Sequence, residues 1–190
     1  IGIKLHETLL GDFIKNWIQI QRELYFQKQG MHYSTFFQWL DHPFLKGSSH
    51  GQQLRELKSK IKRRNQLYIK LKDLKSSSSR QLYEHFNRIL SHWKVYPKDP
   101  LKSAKALMNW ILKPGSKEHH DFINVIALWM EKIERLYAQF NYEHSLEVFS
   151  KLMDELMQQD QLRYEGDPFS RVQIMGILET RLLEFKNVCI

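Results

Sequence analysis

The residues best suited to a chemical task are the lysines and arginines of one segment, Leu54–Lys75, which contains the run KSKIKRRNQLYIKLKDLK. This basic segment holds nine Lys or Arg side chains against Glu56 and Asp73, a net charge of +7. Ammonium and guanidinium groups hydrogen-bond phosphate and carboxylate groups, so the chemistry they predict is anion binding. The expected contacts are Lys58, Lys60, Lys62, Arg63, Arg64, Lys70 and Lys72.

Four interpretations of this charge stand beside one another. The plainest is a solvated helix face, or a face packed on residues 116–190, which hold 8 basic and 13 acidic side chains. The second is docking on anionic phospholipid headgroups, near which each basic side chain contributes about 1 kcal/mol. The third is nucleic acid binding. The fourth is a peptide-like target for a groove-binding regulator such as calmodulin.

Tyr68 separates the membrane interpretation from the nucleic-acid one. Proteins that hold single strands interleave basic residues with exposed aromatic rings for base stacking. Tyr68 is the only aromatic residue of the basic segment. We therefore expect a non-enzymatic binding module that docks on phospholipid headgroups. A protein–protein interaction or regulatory adaptor is the alternative, and nucleic acid binding through the same face is the second alternative.

Four aromatic residues distinguish the membrane hypothesis from the adaptor hypothesis. Phe36, Phe37, Trp39 and Phe44 would favour a protein partner if they formed an exposed apolar patch. If they are buried and the basic face is exposed to solvent, an anionic surface is favoured as the partner.

Other potentially reactive residues do not form a convincing site. Glu118–Asp121 reads EHHD, but adjacent histidines on a helix diverge by about 100° and rarely share a metal ion. His144 and Glu147 make only one pair. No glycine-rich phosphate loop, G-x-S-x-G turn or kinase signature occurs. The sequence therefore predicts no enzyme activity, no cofactor and no metal site.

The elements that must position the basic segment are all predicted to be helices. Only 8 Gly and 5 Pro interrupt the chain, which favours long helices over a many-turned β fold. We expect an all-α, irregular multi-helix bundle of about seven or eight helices and no strand. Apolar residues recur at helical spacing through about residues 3–28, 35–40, 82–93, 104–112, 117–140, 146–156 and 174–185. Helix starts are expected at Ser34, at Ser78 with Gln81, at Asp99–Pro100 and at Ser170 with Gln173.

Within the basic segment the apolar residues do not keep one helical face. They fall on two faces about 100° apart, and the change occurs near Arg63–Gln66. A break there would give two basic helices joined by a turn. The side chains expected to point away from the apolar side are Arg55, Lys58, Lys62, Arg63 and Lys70.

The length of 190 residues fits one all-helical domain over residues 1–190, with a candidate subdomain break near 76–79. The chain begins with Ile, so we expect it to be part of a longer protein. Its single cysteine, Cys189, is typical of a reducing compartment. Its longest apolar run, FINVIALWM, is shorter than the roughly 20 residues that span a bilayer. We expect an intracellular location with peripheral membrane association and no transmembrane segment.

Overall fold

The computed structural model describes residues 2–90, 99–111, 117–139 and 146–163, most of which are helical. Nine α-helices lie in these ranges: α1 (Leu9–Phe26), α2 (Tyr33–Leu40), α3 (Pro43–Lys46), α4 (Gly51–Arg63), α5 (Leu71–Ser77), α6 (Arg80–Leu90), α7 (Asp99–Ile111), α8 (Lys117–Gln139) and α9 (Leu146–Gln159). A 3₁₀ turn, Leu5–Glu7, precedes α1. The all-α prediction is confirmed. The described part holds slightly more helices than expected, because α3 is too short to show an apolar period.

Four short strands also occur in the described part, where the sequence predicted none. They are β1 (Gly2–Lys4), β2 (Met31–His32), β3 (Tyr68–Ile69) and β4 (Gln161–Arg163). β1 pairs antiparallel with β4, and β2 pairs antiparallel with β3. The sequence showed no convincing strand because two or three residues cannot display the alternation that identifies one.

The core is a cluster of buried apolar side chains drawn from α1 to α9. Its largest fully buried members are Trp17, Trp39, Trp129, Phe13, Phe36, Phe86 and Phe149. The rings of Trp39 and Trp110 lie 6.1 Å apart between centroids, which joins α2 to α7. The cluster includes Leu74 and Leu82, one on each side of the serine run 76–79.

The helix starts follow local hydrogen bonds that the sequence located only approximately. α2 is capped by His32, whose Nδ1 accepts from the Ser34 backbone N–H at 3.4 Å, so Ser34 lies inside the helix. Ser79, not Ser78, caps α6, and its Oγ accepts from the Leu82 N–H at 3.3 Å. Ser78 is instead the C-cap of α5, directly after its last residue. α7 begins at Asp99 as predicted. The expected helix start at Ser170 lies outside the described residues.

The helix α8 is less enclosed than its composition suggested. Ile126, Trp129 and Ile133 are buried on one stripe, whereas Leu128 is 55% exposed. Only the stripe of positions three or four apart reaches the core, so α8 also has a side that faces away from it. Among the described residues, no helix is long and apolar enough to cross a bilayer.

Candidate anion-binding surface at the α4–α5 turn

The basic segment forms two helices, as the change of apolar face predicted. Leu54, Leu57 and Ile61 are buried and hold α4 on the core. The helix ends at Arg63, and the backbone reverses through Asn65, whose φ is +50°. Asparagine tolerates this left-handed conformation better than most residues. We call residues 64–70, between α4 and α5, the α4–α5 turn.

The short strand β3 fixes the α4–α5 turn against the connection between α1 and α2. Met31 pairs with Ile69, and the Tyr33 backbone N–H donates to the Leu67 carbonyl at 2.9 Å. Gly30 makes this close approach possible. Its φ is +106°, and a β-carbon there would overlap the Ile69 carbonyl oxygen. The turn is therefore built into the fold by its backbone.

Lys58 differs from the other predicted contacts because it has an acidic partner within the described part of the protein. Its ammonium group donates to Asp41 Oδ2 and lies 5.3 Å from the centre of the Phe37 ring. The hydrogen bond from Lys58 lowers the pKa of Asp41, although partial burial opposes this effect. The expectation that Lys58 points away from the core side is wrong: its side chain is mostly covered and joins α4 to the end of α2.

Lys60 and Arg64 link the end of α4 to the end of α5. Lys60 Nζ donates to the Ser77 carbonyl at 3.3 Å. Arg64 Nη1 donates to Ser76 Oγ at 3.2 Å and to Ser77 Oγ at 2.8 Å. Both side chains stay on the surface, but part of their hydrogen-bonding capacity is used inside the protein.

The remaining predicted contacts are exposed cations on both sides of the turn. Lys62 and Arg63 precede it, and Lys70 and Lys72 end or follow it. Within the described part of the chain, no hydrogen bond or ion pair occupies the side chains of Arg63, Lys70 or Lys72. Lys62 Nζ lies 5.9 Å from the centre of the Phe37 ring. We call Lys62, Arg63, Lys70 and Lys72 the cationic rim.

The four aromatic residues that were to distinguish a protein partner from an anionic surface do not form a surface patch. Phe36 and Trp39 are fully buried, Phe37 is nearly so, and Phe44 is half-buried. The sequence missed the apolar residues that are exposed, because Leu67 has helical spacing to Leu71 and Leu74. The chain leaves α4 before Leu67, so its side chain is 61% exposed instead of reaching the core.

A second basic surface runs along the outer side of α4. Arg55, Ser59 and Arg63 are four residues apart and border an open depression of 530 Å³, with Glu56 among its lining residues. All the lining residues belong to α4, so the depression follows one helix and is not a groove between elements. The acidic Glu56 also weakens the local positive potential.

Metal chemistry finds no support in the described part of the chain, where no group of three or more His, Cys, Asp or Glu residues could hold an ion. The side chains of Glu118–Asp121 and His144 lie outside the described residues. A histidine cluster that the sequence did not indicate packs where α6 and α7 meet. The His85 ring stacks on Trp110 at 5.7 Å, and His50 Nδ1 accepts from Trp110 Nε1 at 3.2 Å. This cluster joins α6 and α7 to the start of α4.

Comparison with protein-family models, curated proteins and solved structures finds no match to this chain. Its function must therefore be argued from the geometry described above.

Proposed function

We propose that this protein is a non-enzymatic helical module that docks on anionic phospholipid headgroups through the cationic rim of the α4–α5 turn. The observation that carries the proposal is the position of four exposed cations, Lys62 and Arg63 before the α4–α5 turn and Lys70 and Lys72 at its end. None of these four side chains makes a hydrogen bond or ion pair in the described part of the chain. Cations that neutralise no internal acid are available to an external anion.

The strength of such docking follows from the number of cations. Each Lys or Arg near an anionic membrane contributes about 1 kcal/mol, so four supply about 4 kcal/mol, or roughly a thousandfold in affinity. The attraction is screened within about 8 Å at physiological ionic strength. We therefore expect weak, reversible and salt-sensitive binding, suited to a peripheral module of an intracellular protein.

Two observations favour phospholipid over the alternatives. The buried Phe36 and Trp39 remove the aromatic patch that a protein adaptor would offer. Nucleic acid favours a basic groove, whereas the depression on α4 is lined by a single helix. Acidic residues in the apolar hollow between α7 and α8 would suit a basic protein partner. Glu131 and Glu134 there already pair with Arg135 and Lys105.

Sedimentation with phosphatidylcholine vesicles that contain increasing fractions of phosphatidylserine tests the proposal. The rim variant carries Arg63→Glu, Lys70→Glu and Lys72→Glu. The matched control carries Arg22→Glu, Lys102→Glu and Lys151→Glu, which are exposed cations elsewhere. Both variants change the net charge equally, so a difference between them reports location and not overall charge.

We expect the rim variant to lose at least about a hundredfold in vesicle affinity, because it removes three cations and adds three repelled carboxylates, and the control to lose much less. Equal affinities for the two variants would contradict docking through the turn. A short nucleic acid, measured in parallel, would replace the phospholipid as partner if it alone distinguished the variants.

A further inference from the structure

Three exposed apolar side chains lie beside the cationic rim. Leu67 is 61% exposed, Tyr68 40% and Tyr33 37%. Leu67 and Tyr68 belong to the α4–α5 turn, and Tyr33 begins α2 directly opposite. We call Tyr33, Leu67 and Tyr68 the apolar wedge.

The wedge is held in place by the strand pair beneath it. His32 is the register partner of Tyr68, and the two rings lie 5.6 Å apart. The His32 ring also contacts the Tyr33 ring at 4.8 Å. These contacts hold the two tyrosine rings, and the hydrogen bond from the Tyr33 backbone N–H to the Leu67 carbonyl fixes the backbone that carries Leu67. A fixed side chain loses little conformational entropy when it binds.

Polar and cationic residues border part of the wedge. Tyr33 and Leu67 line an open hollow of 170 Å³ whose border includes Lys62, Asn65 and Gln66. Every cation of the rim lies within five residues of Leu67. Leucine exposed among cations is suited to a partner that presents anions at its surface and hydrocarbon directly below.

The small size of the wedge decides the class of partner. A stable protein interface buries about 800 Å² on each side and uses roughly 20 residues or more. Three side chains fall far short of this, whereas a bilayer accepts single apolar residues. Tyrosine prefers the headgroup level of a membrane, and leucine prefers the hydrocarbon.

We infer that the apolar wedge inserts into the bilayer, with Leu67 among the acyl chains and Tyr33 and Tyr68 at the headgroup level. This inference rests on the proposed docking and adds a second, salt-resistant contribution to it. Membrane association that combines charge with an apolar contact is stronger than either alone.

The wedge variant carries Leu67→Ser and Tyr68→Ser together. The control is Leu128→Ser, which removes a similarly exposed leucine on α8. Binding to phosphatidylcholine–phosphatidylserine vesicles is measured at low and at physiological salt. We expect the wedge variant to keep most of its binding at low salt and to lose at least tenfold at physiological salt. Leu128→Ser should behave as wild type at both.

A second measurement reports insertion directly. A Cys189→Ser background with Leu67→Cys carries an environment-sensitive fluorophore, and the same label at Arg22→Cys is the control. We expect a blue shift on vesicles, and quenching by acyl-chain-brominated lipid, only for the label at position 67.

The outcomes separate insertion from docking. Insertion is overturned if the wedge variant binds as tightly as the wild type at both salt concentrations and the label at position 67 shows no blue shift. Docking still stands in that case if the rim variant loses vesicle binding. Failure of the wild type to bind anionic vesicles would overturn both.

Discussion

Lys58 and Arg63 carry the same charge on the same helix, but their surroundings give them different tasks. Lys58 pairs with Asp41, which lies 17 residues earlier in the chain. Arg63 is exposed and has no hydrogen bond or ion pair in the described part. The sequence showed where the cations concentrate, but it could not show which of them pairs with an acidic side chain, because Asp41 approaches α4 only through tertiary packing.

The two residues should therefore respond oppositely to substitution. We expect Lys58→Ala to lower the free energy of unfolding by about 1 kcal/mol, since it removes a partly covered charged hydrogen bond. Arg63→Ala should change it by less than about 0.5 kcal/mol but should weaken binding to phosphatidylserine vesicles. Urea denaturation and vesicle sedimentation of both variants check this. Destabilisation by Arg63→Ala with no effect of Lys58→Ala would reverse the assignment.

His42 and His85 make the fold sensitive to mild acid. Burial lowers the pKa of each below its ordinary value of 6.5. Asp12 opposes this shift at His42, and His50 and Arg88 reinforce it at His85. Because the unfolded chain binds these protons more readily, their effect on stability is small above pH 6.5 and grows unfavourable as the pH falls below it.

We expect the free energy of unfolding to be nearly constant above about pH 7 and to decrease from about pH 6.5 toward pH 5. Urea denaturation across this range measures the decrease. His85→Phe keeps a ring against Trp110 and should make the slope shallower. Asp41 does not contribute to this decrease, because its lowered pKa changes the free energy of unfolding only when the pH falls below the ordinary value of 3.8. Stability that rises on acidification would refute the assignment.

At the level of elements, the α4–α5 turn shows which structural features the sequence can predict and which it cannot. The change of apolar face located the break between α4 and α5 within a few residues. The pairing of β2 with β3 was not predictable, since two-residue strands have no period. The exposure of Leu67 depends on that pairing, so it could not be foreseen either.

Gly30 is the residue on which the turn's position depends. We expect Gly30→Ala to destabilise the protein by about 1–3 kcal/mol, because alanine is strained at a φ of +106° and its β-carbon would overlap the Ile69 carbonyl. Vesicle binding should fall as the turn shifts. Thermal unfolding and sedimentation measure both effects, with the exposed neighbour Gln29→Ala as the control. A Gly30→Ala protein as stable as the control would show that the close approach is unimportant.

At the level of the whole molecule, one buried cluster connects the helices on both sides of the serine run 76–79. α6 packs on α7, and the N-terminal strand β1 pairs with β4, which directly follows α9. The Leu5 backbone N–H donates to the Asp160 carbonyl at 3.1 Å, and Trp129 Nε1 donates to the Asp160 carboxylate.

This continuity predicts a single cooperative unfolding transition. Trp17 and Trp39 lie before residues 76–79, and Trp110 and Trp129 lie after them, so tryptophan fluorescence reports both sides. We expect fluorescence and far-ultraviolet circular dichroism to give the same urea midpoint. Two separated transitions would instead support a subdomain break at the serine run.

The uneven charge of the chain places its excess where docking is proposed. Residues 1–115 hold 21 basic and 8 acidic side chains, whereas residues 116–190 carry a net negative charge. The positive excess therefore lies in the part of the sequence that contains the α4–α5 turn.

The most direct test of the central claim is the ratio of vesicle affinities between the rim variant and its matched control. The proposed docking predicts that Arg63→Glu, Lys70→Glu and Lys72→Glu together weaken binding to phosphatidylserine vesicles far more than Arg22→Glu, Lys102→Glu and Lys151→Glu. If the two triple variants bind equally well, the attraction belongs to the net charge of the molecule and the α4–α5 turn is not its docking surface.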